Sequence, residues 1–311
     1  MSRRGTRFIS VQAASLLLFL LCGCNHEGAD GSGVVAIFGG IGMGRGEFSY
    51  PRGLTLSPVD GCVFIVDKAA RIQRFSPRGN YETEWRMPEF EQGKPTGLCV
   101  DRHNRVWVAD THYSRVMLFD RDGNELKRFG RTGRGPGEFI WPTNIAIDES
   151  DGSVLVGEYG GNDRISRFSA DLAYRGSFAS GDLEQGGTSR PQSIAIDASG
   201  VVWVADSAHH RICRYSRDGA FLGAVGRLGE GPDEFNYPYS LAIAPDRAVY
   251  VSDYGNNRVV RLGPDGRFLG SWGRMGREPG ELRHAWSLAL AGNGILYILD
   301  SWNSRVQLIR W

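Results

Sequence analysis

The chain has 311 residues, 41% hydrophobic and 23% charged, with 36 basic and 35 acidic side chains. This is an ordinary soluble globular composition. Its balanced charge lacks the strong positive field that extended nucleic-acid binding needs, so no nucleic-acid partner is expected.

Arg3, Arg4 and Arg7 open the chain, Phe8 to Leu21 is nearly all apolar, and Leu21-Cys22-Gly23-Cys24 follows. The apolar core is too short to favour a spanning helix, and residues 1–23 read as a secretory signal. Their end resembles the lipobox of bacterial lipoproteins, with Cys24 as the lipidated residue; the alternative is an ordinary signal with a chance cysteine. Several acyl chains would anchor the protein stably where one holds only marginally. Residues 24–33 then form a polar tether. The expected location is the cell envelope: lipid-anchored to a membrane and extracytoplasmic, periplasmic or surface. Removing the three signal arginines from 36 basic residues leaves 33 against 35 acidic ones, a net of −2.

From residue 34 onward a repeat dominates. Short apolar strands end in an acid, followed four to six residues later by arginine: Asp67/Arg71, Asp110/Arg115, Glu158/Arg164, Asp206/Arg211, Asp253/Arg258 and Asp300/Arg305. The arginines are 44, 49, 47, 47 and 47 residues apart. Pro51, Pro95, Pro142, Pro191 and Pro238 open the units, with Ala285 in the sixth. Alternating strands joined by Asp-Gly and Ser-Gly turns predict a four-stranded antiparallel meander per unit. Six meanders in a ring predict an all-β, six-bladed β-propeller over 34–311.

The residues resemble NHL repeats. Asp253-Tyr254-Gly255-Asn256-Asn257-Arg258-Val259 fits that family's signature closely, and Asp110-Thr111-His112-Tyr113-Ser114-Arg115-Val116 matches it in the second unit. The sixth unit lacks a fourth strand, and Val34 to Gly39 is expected to supply it, covering an exposed edge. Unit three deviates most, with Glu158 for aspartate, extra residues at Gly160-Gly161 and an unusual linker, Ser180 to Ser189.

Much of what looks like chemistry is repeat grammar. The acid/arginine pairs are expected to clasp second and third strands by charge-assisted hydrogen bonds. The glycine-rich loops, such as Gly39 to Gly46, are not followed by a helix pattern and read as crossings between blades rather than phosphate loops. Cys62, Cys99 and Cys213 have no Cys-x-x-Cys spacing and are expected to be buried thiols.

Function is sought where the units differ. The first strand's start and the second strand's end share one face of a propeller. The candidate ligand-binding face is therefore Arg52, Thr96, Tyr113, Thr143, Tyr159, Gln192, His209, Tyr239, Tyr254, Trp286 and Trp302. Such groups suit a small polar ligand or an extended peptide.

Some relatives implied by the resemblance are peptide-amidating lyases, with zinc-binding histidines directly after the loop proline. Here those positions hold Arg52, Thr96, Thr143, Gln192, Tyr239 and Trp286, so that triad is absent. No catalytic residue, metal site or cofactor is assigned, with calcium in the central channel left open. The reading favoured is an extracytoplasmic, lipid-anchored scaffold binding a protein, peptide or glycan. The alternative is a propeller-channel lyase or hydrolase with a divergent, metal-dependent site.

Overall fold

The computed structural model describes residues 33–311. The signal segment, Cys24 and the tether before Gly33 lie outside the described residues. The repeat folds into six four-stranded antiparallel sheets. Strand β1 (Val34–Gly39) comes first. Blade one is β2 (Pro51–Leu56), β3 (Val63–Asp67), β4 (Arg71–Phe75) and β5 (Tyr81–Arg86). Blade two is β6 (Gly97–Val100), β7 (Val106–Asp110), β8 (Arg115–Phe119) and β9 (Glu125–Phe129). Blade three is β10 (Pro142–Asp148), β11 (Ser153–Glu158), β12 (Arg164–Phe168) and β13 (Tyr174–Phe178). Blade four is β14 (Pro191–Ile196), β15 (Val202–Asp206), β16 (Arg211–Tyr215) and β17 (Phe221–Val225). Blade five is β18 (Pro238–Ile243), β19 (Val249–Asp253), β20 (Arg258–Leu262) and β21 (Phe268–Trp272). Blade six is β22 (Ala285–Leu290), β23 (Ile295–Asp300), β24 (Arg305–Arg310) and, as its fourth strand, β1.

The burial gradient follows the radial arrangement. Second strands such as β3, β7, β15 and β19 are buried along their whole length. Fourth strands such as β17 and β21 alternate between half-buried and exposed. This is the alternation of a strand with one face on a neighbour and one toward water. The core accordingly lies between blades: Phe48, Leu54, Val63 and Ile65 pack with Tyr297, Leu299 and Val306 across the junction of blades six and one.

First strands line the axis, touch their neighbours, and β22 returns to β2 to complete the ring. Adjacent sheets share no backbone ladder, so side chains stitch them. Ser193 and Ser240 accept the Leu241 and Leu288 N–H groups at 3.1 and 3.0 Å, and Ser287 donates to the Leu54 carbonyl at 3.1 Å. Outside, a hairpin glycine of one blade receives a bulky side chain of the previous one. Gly123 has φ +92°, and a Cβ there would lie 2.5 Å from the Trp85 ring, so both conformation and contact demand glycine.

The closure expected from the sequence is present. β1 runs antiparallel to β24, from Val34 opposite Ile309 to Gly39 opposite Arg305. Blade three forms a complete sheet despite its irregular sequence. In blade two the first strand begins at Gly97 rather than at Pro95, although the Thr96 N–H still reaches the Ala109 carbonyl at 3.3 Å. Cys62 and Cys213 are buried and Cys99 is half-buried, all as free thiols. Burial pushes the Cys62 thiol up to about 11 and those of Cys99 and Cys213 up to about 12, which disfavours the reactive thiolate.

Candidate functional site at the channel mouth

The acid/arginine pairs are buried clasps between second and third strands. Asp206 faces Arg211 and Asp300 faces Arg305 in the ladder, each pair joined at 2.8 Å. Five of the arginines also tie down the crossing loop that precedes their blade through its carbonyls, whereas Arg115 pairs with the Glu89 carboxylate instead. Arg305 donates to the carbonyls of Arg277, Glu278 and Glu281 at 2.7 to 2.9 Å. The loops are stapled internally as well, with Glu138, Glu234 and Glu281 bonded to Arg131, Arg227 and Arg274.

Arg52, Thr96, Thr143, Gln192, Tyr239 and Trp286, one from each blade, line a central cavity of about 220 Å³. An adjoining cavity of about 190 Å³ adds Thr111, His112, Tyr159 and Arg190. These two cavities are the channel and its mouth. In every blade but the second, a register shift just inside the opening residue, for instance between Pro51 and Gly53, re-aims the intervening side chain toward the axis.

The lining is uneven. Tyr239 stacks on Tyr254 with ring centroids 4.2 Å apart and planes 23° apart, and Trp286 meets both edge-on at 5.1 and 5.7 Å. Burial raises the pKa of both Tyr239 and Tyr254, so their phenols stay neutral. Trp302 joins this wall by donating its indole N–H to the Tyr50 hydroxyl at 2.7 Å. On the other side the hydroxyls are occupied. Thr143 donates to the Pro191 carbonyl at 2.6 Å, while Thr96 shares a 2.8 Å bond with Thr111. The Thr143 bond joins blades three and four, whereas the Thr96–Thr111 bond closes within blade two and Thr96 also reaches the Thr143 carbonyl at 3.3 Å, so neither hydroxyl has a hydrogen left to offer a ligand.

Two of the eleven sequence candidates lie elsewhere. His209 Nδ1 contacts the Asp206 carboxylate at 2.9 Å. Asn256 and Asn303 occupy the corresponding position in blades five and six, each bonding its blade's aspartate at 2.8 Å. The third residue after the acid is thus part of the clasp. Tyr113, at the same position, lies against the Arg115 guanidinium and donates toward Glu91 at 3.3 Å. In blade two His112 takes the mouth position instead. Burial, then the nearby Arg52 and Lys94, lower the His112 pKa and favour its neutral form.

Sequence reasoning missed the residues before the opening positions. Tyr50, Trp141, Arg190, Tyr237 and His284 all have positive φ, between 45° and 59°. A bulky residue in that conformation costs about 1–3 kcal/mol and persists where the surroundings impose it. Here the left-handed step leads into the bulge and stands these side chains around the rim. His284 lies 4.6 Å from Tyr254 and 4.5 Å from Trp302, ring to ring. Arg190 lies 5.4 Å from the ring centres of both Tyr159 and Tyr239. The available signal was that every unit has a large residue there, Lys94 included.

Charge at the mouth has one sign. No carboxylate lines either cavity among the described residues. Also among the described residues, no group of three His, Cys, Asp or Glu side chains gathers as a metal set. The six axial positions offer a guanidinium, hydroxyls, an amide and aromatic rings, which do not fit the usual zinc donor set.

A 6-bladed beta-propeller family model matches residues 89–174, and the NHL repeat model matches 188–215 and 235–262. Among curated proteins, the chain is 24% identical over 123 residues to Protein brain tumor of Drosophila melanogaster, covering 40% of this chain and 11% of that one. It is 33% identical over 112 residues to peptidylglycine alpha-amidating monooxygenase of Rattus norvegicus, covering 34% and 11%. The matched part thus spans about a tenth of either relative. Virginiamycin B lyase from Staphylococcus aureus superposes with a TM-score of 0.59 at 18% identity, over 84% of this chain and 94% of that structure, and so shares the fold.

Proposed function

We propose that this chain, which belongs to the NHL-repeat six-bladed β-propellers, is an extracytoplasmic scaffold held to a membrane through lipid on Cys24. Its channel mouth is the face that binds a protein, peptide or glycan of the cell envelope. One observation carries the reading. The side chains that repeat from blade to blade are consumed in clasps and stitches, whereas the side chains that differ gather around one opening.

Crosslinking pull-down tests the face by comparing the native chain with an Arg52→Ala/Tyr239→Ala/Trp286→Ala variant. Partners retained by the native chain are expected to be lost from the variant, and equal recovery would remove the mouth from consideration. Anchoring is tested separately: a Cys24→Ser chain should no longer label with palmitate, and persistent labelling would sink the lipoprotein reading.

A lyase or hydrolase working in the same channel is the second reading. It is favoured by the likeness to an amidating enzyme and a lyase, and by the His112 imidazole among the mouth residues. Its weakness is the lining, which supplies no carboxylate and no second histidine to work with His112.

A further inference from the structure

The mouth holds two cations with no counter-charge. Among the described residues, Arg52 makes no ion pair, and its Nε is buried without a hydrogen-bond partner. Its guanidinium lies 5.7 Å from the Tyr50 ring centre and 5.6 Å from that of Trp286. Arg190 has one side-chain bond, from Nε to Gln192 Oε1 at 3.3 Å. The carboxylate closest in its network, Asp163, accepts the Arg190 backbone N–H at 2.6 Å and forms no ion pair with its guanidinium. Elsewhere in the fold the buried arginines are paired, as Arg71, Arg164 and Arg258 are.

Blades one and four are opposite in a ring of six, so Arg52 and Arg190 approach the same cavity from opposite sides. Two like charges facing one partly desolvated space repel, and an anion between them removes that repulsion and satisfies idle donors. The uncharged lining points the same way. The hydrogens of the Thr96 and Thr143 hydroxyls are taken, while Gln192 accepts from Arg190 and keeps its amide hydrogens to offer. The groups at the mouth with idle hydrogens are therefore the Arg52 and Arg190 guanidiniums and the Gln192 amide, which favours a ligand that brings a strong acceptor. The Tyr239 and Trp286 rings beside it provide a flat apolar wall. Guanidinium groups match carboxylates in a planar, two-bond geometry.

We propose that the channel mouth is a binding site for a small ring-bearing carboxylate. Its anionic group is held between Arg52 and Arg190 and its ring face lies against Tyr239 and Trp286. This rests on the mouth being the ligand face and names the chemistry that the face selects.

Calorimetric titration of the full chain tests it with galacturonate and phenylacetate, each set against its uncharged counterpart, galactose and phenylacetamide. At least one carboxylate should bind about tenfold or more tighter than its neutral partner, the two probes separating a sugar acid from an aromatic acid. Arg52→Gln and Arg190→Gln should each weaken that binding by about tenfold. Arg131→Gln, on an exposed crossing loop, should leave it unchanged. Should Arg52→Gln fail to fold, Arg190→Gln carries the test alone, with Arg52→Lys expected to keep the charge and lose part of the affinity. Neutral partners binding as tightly as the acids would overturn the proposal, as would no carboxylate binding at millimolar concentration. Inorganic phosphate binding as well as both acids would overturn the ring-bearing carboxylate. If the pull-down still depends on the mouth while the carboxylates fail, this inference falls and the ligand face stands.

Discussion

Blades two and five share one register, with Asp110 opposite Arg115 and Asp253 opposite Arg258, yet their clasps are built differently. In blade five, Asp253 Oδ1 accepts the Asn236 N–H at 2.7 Å, and Oδ2 accepts from Asn256 and Arg258 at 2.8 Å each. Arg258 then donates to the carbonyls of Glu230, Gly231 and Glu234, all at 2.8 Å. In blade two, Asp110 Oδ2 accepts from Arg115 at 2.8 Å, while Asp110 Oδ1 and Arg115 Nη2 are buried without partners. The glycine-rich crossing loop that feeds blade five is replaced by residues 87–95, and Arg115 pairs with Glu89 of that segment. Burial pushes both carboxyls up, Asp110 to about 6. The crossing loop is thus part of the clasp, and a blade that loses the loop keeps the ion pair but not its satisfaction.

The largest expected difference is in stability. Asp253→Ala strands Arg258 and opens the loop contacts, and should cost about 3–5 kcal/mol in urea unfolding. Asp110→Ala removes a carboxylate that is already half-unsatisfied and should cost about 1–2 kcal/mol; equal losses would erase the distinction between the blades.

An acidity difference comes next. Because the folded Asp110 carboxyl titrates near 6, above its unfolded value, the folded state holds the extra proton between those pH values. The stability this group contributes is therefore present at acid pH and lost as pH rises through about 6. Relative to Asp110→Asn, the native chain should lose about 3 kcal/mol across that window. Parallel pH profiles for the two proteins would refute the shift.

The smallest effect belongs to Glu89, whose side chain is 46% exposed. Glu89→Gln should cost under about 1 kcal/mol, visible as a slight fall in melting temperature that high salt diminishes. A loss as large as that of Asp253→Ala would mean that Glu89 is the principal partner of Arg115.

The repeated features were legible in the sequence because each is written several times. Blade number, strand order and closure by Val34 to Gly39 follow from a period that six units state independently. The mouth was legible in outline, since topology alone puts the residue after each opening position at the axis. Its detail was not. After Asp110 and Asp206 the chain makes a single 3-10 turn, which swings Tyr113 and His209 away from the opening. A one-residue difference in such a turn exchanges mouth for clasp, and residue type does not announce it. Arg190 and Tyr50 were hidden for another reason. They precede the repeat's opening proline, and only the left-handed backbone there stands them on the rim.

The seam between β1 and β24 also sets a timetable. Val34 finds its partner Ile309 roughly 275 residues later, so the first strand made among the described residues is among the last to be paired. At about 5–20 residues per second of synthesis, β1 waits roughly 15–55 s with an unpaired edge. Five blades can assemble from local contacts in that interval, whereas the sixth must await β24. The last step of folding is then a docking event between distant segments, and whatever shields β1 while it waits governs how much chain reaches the closed ring.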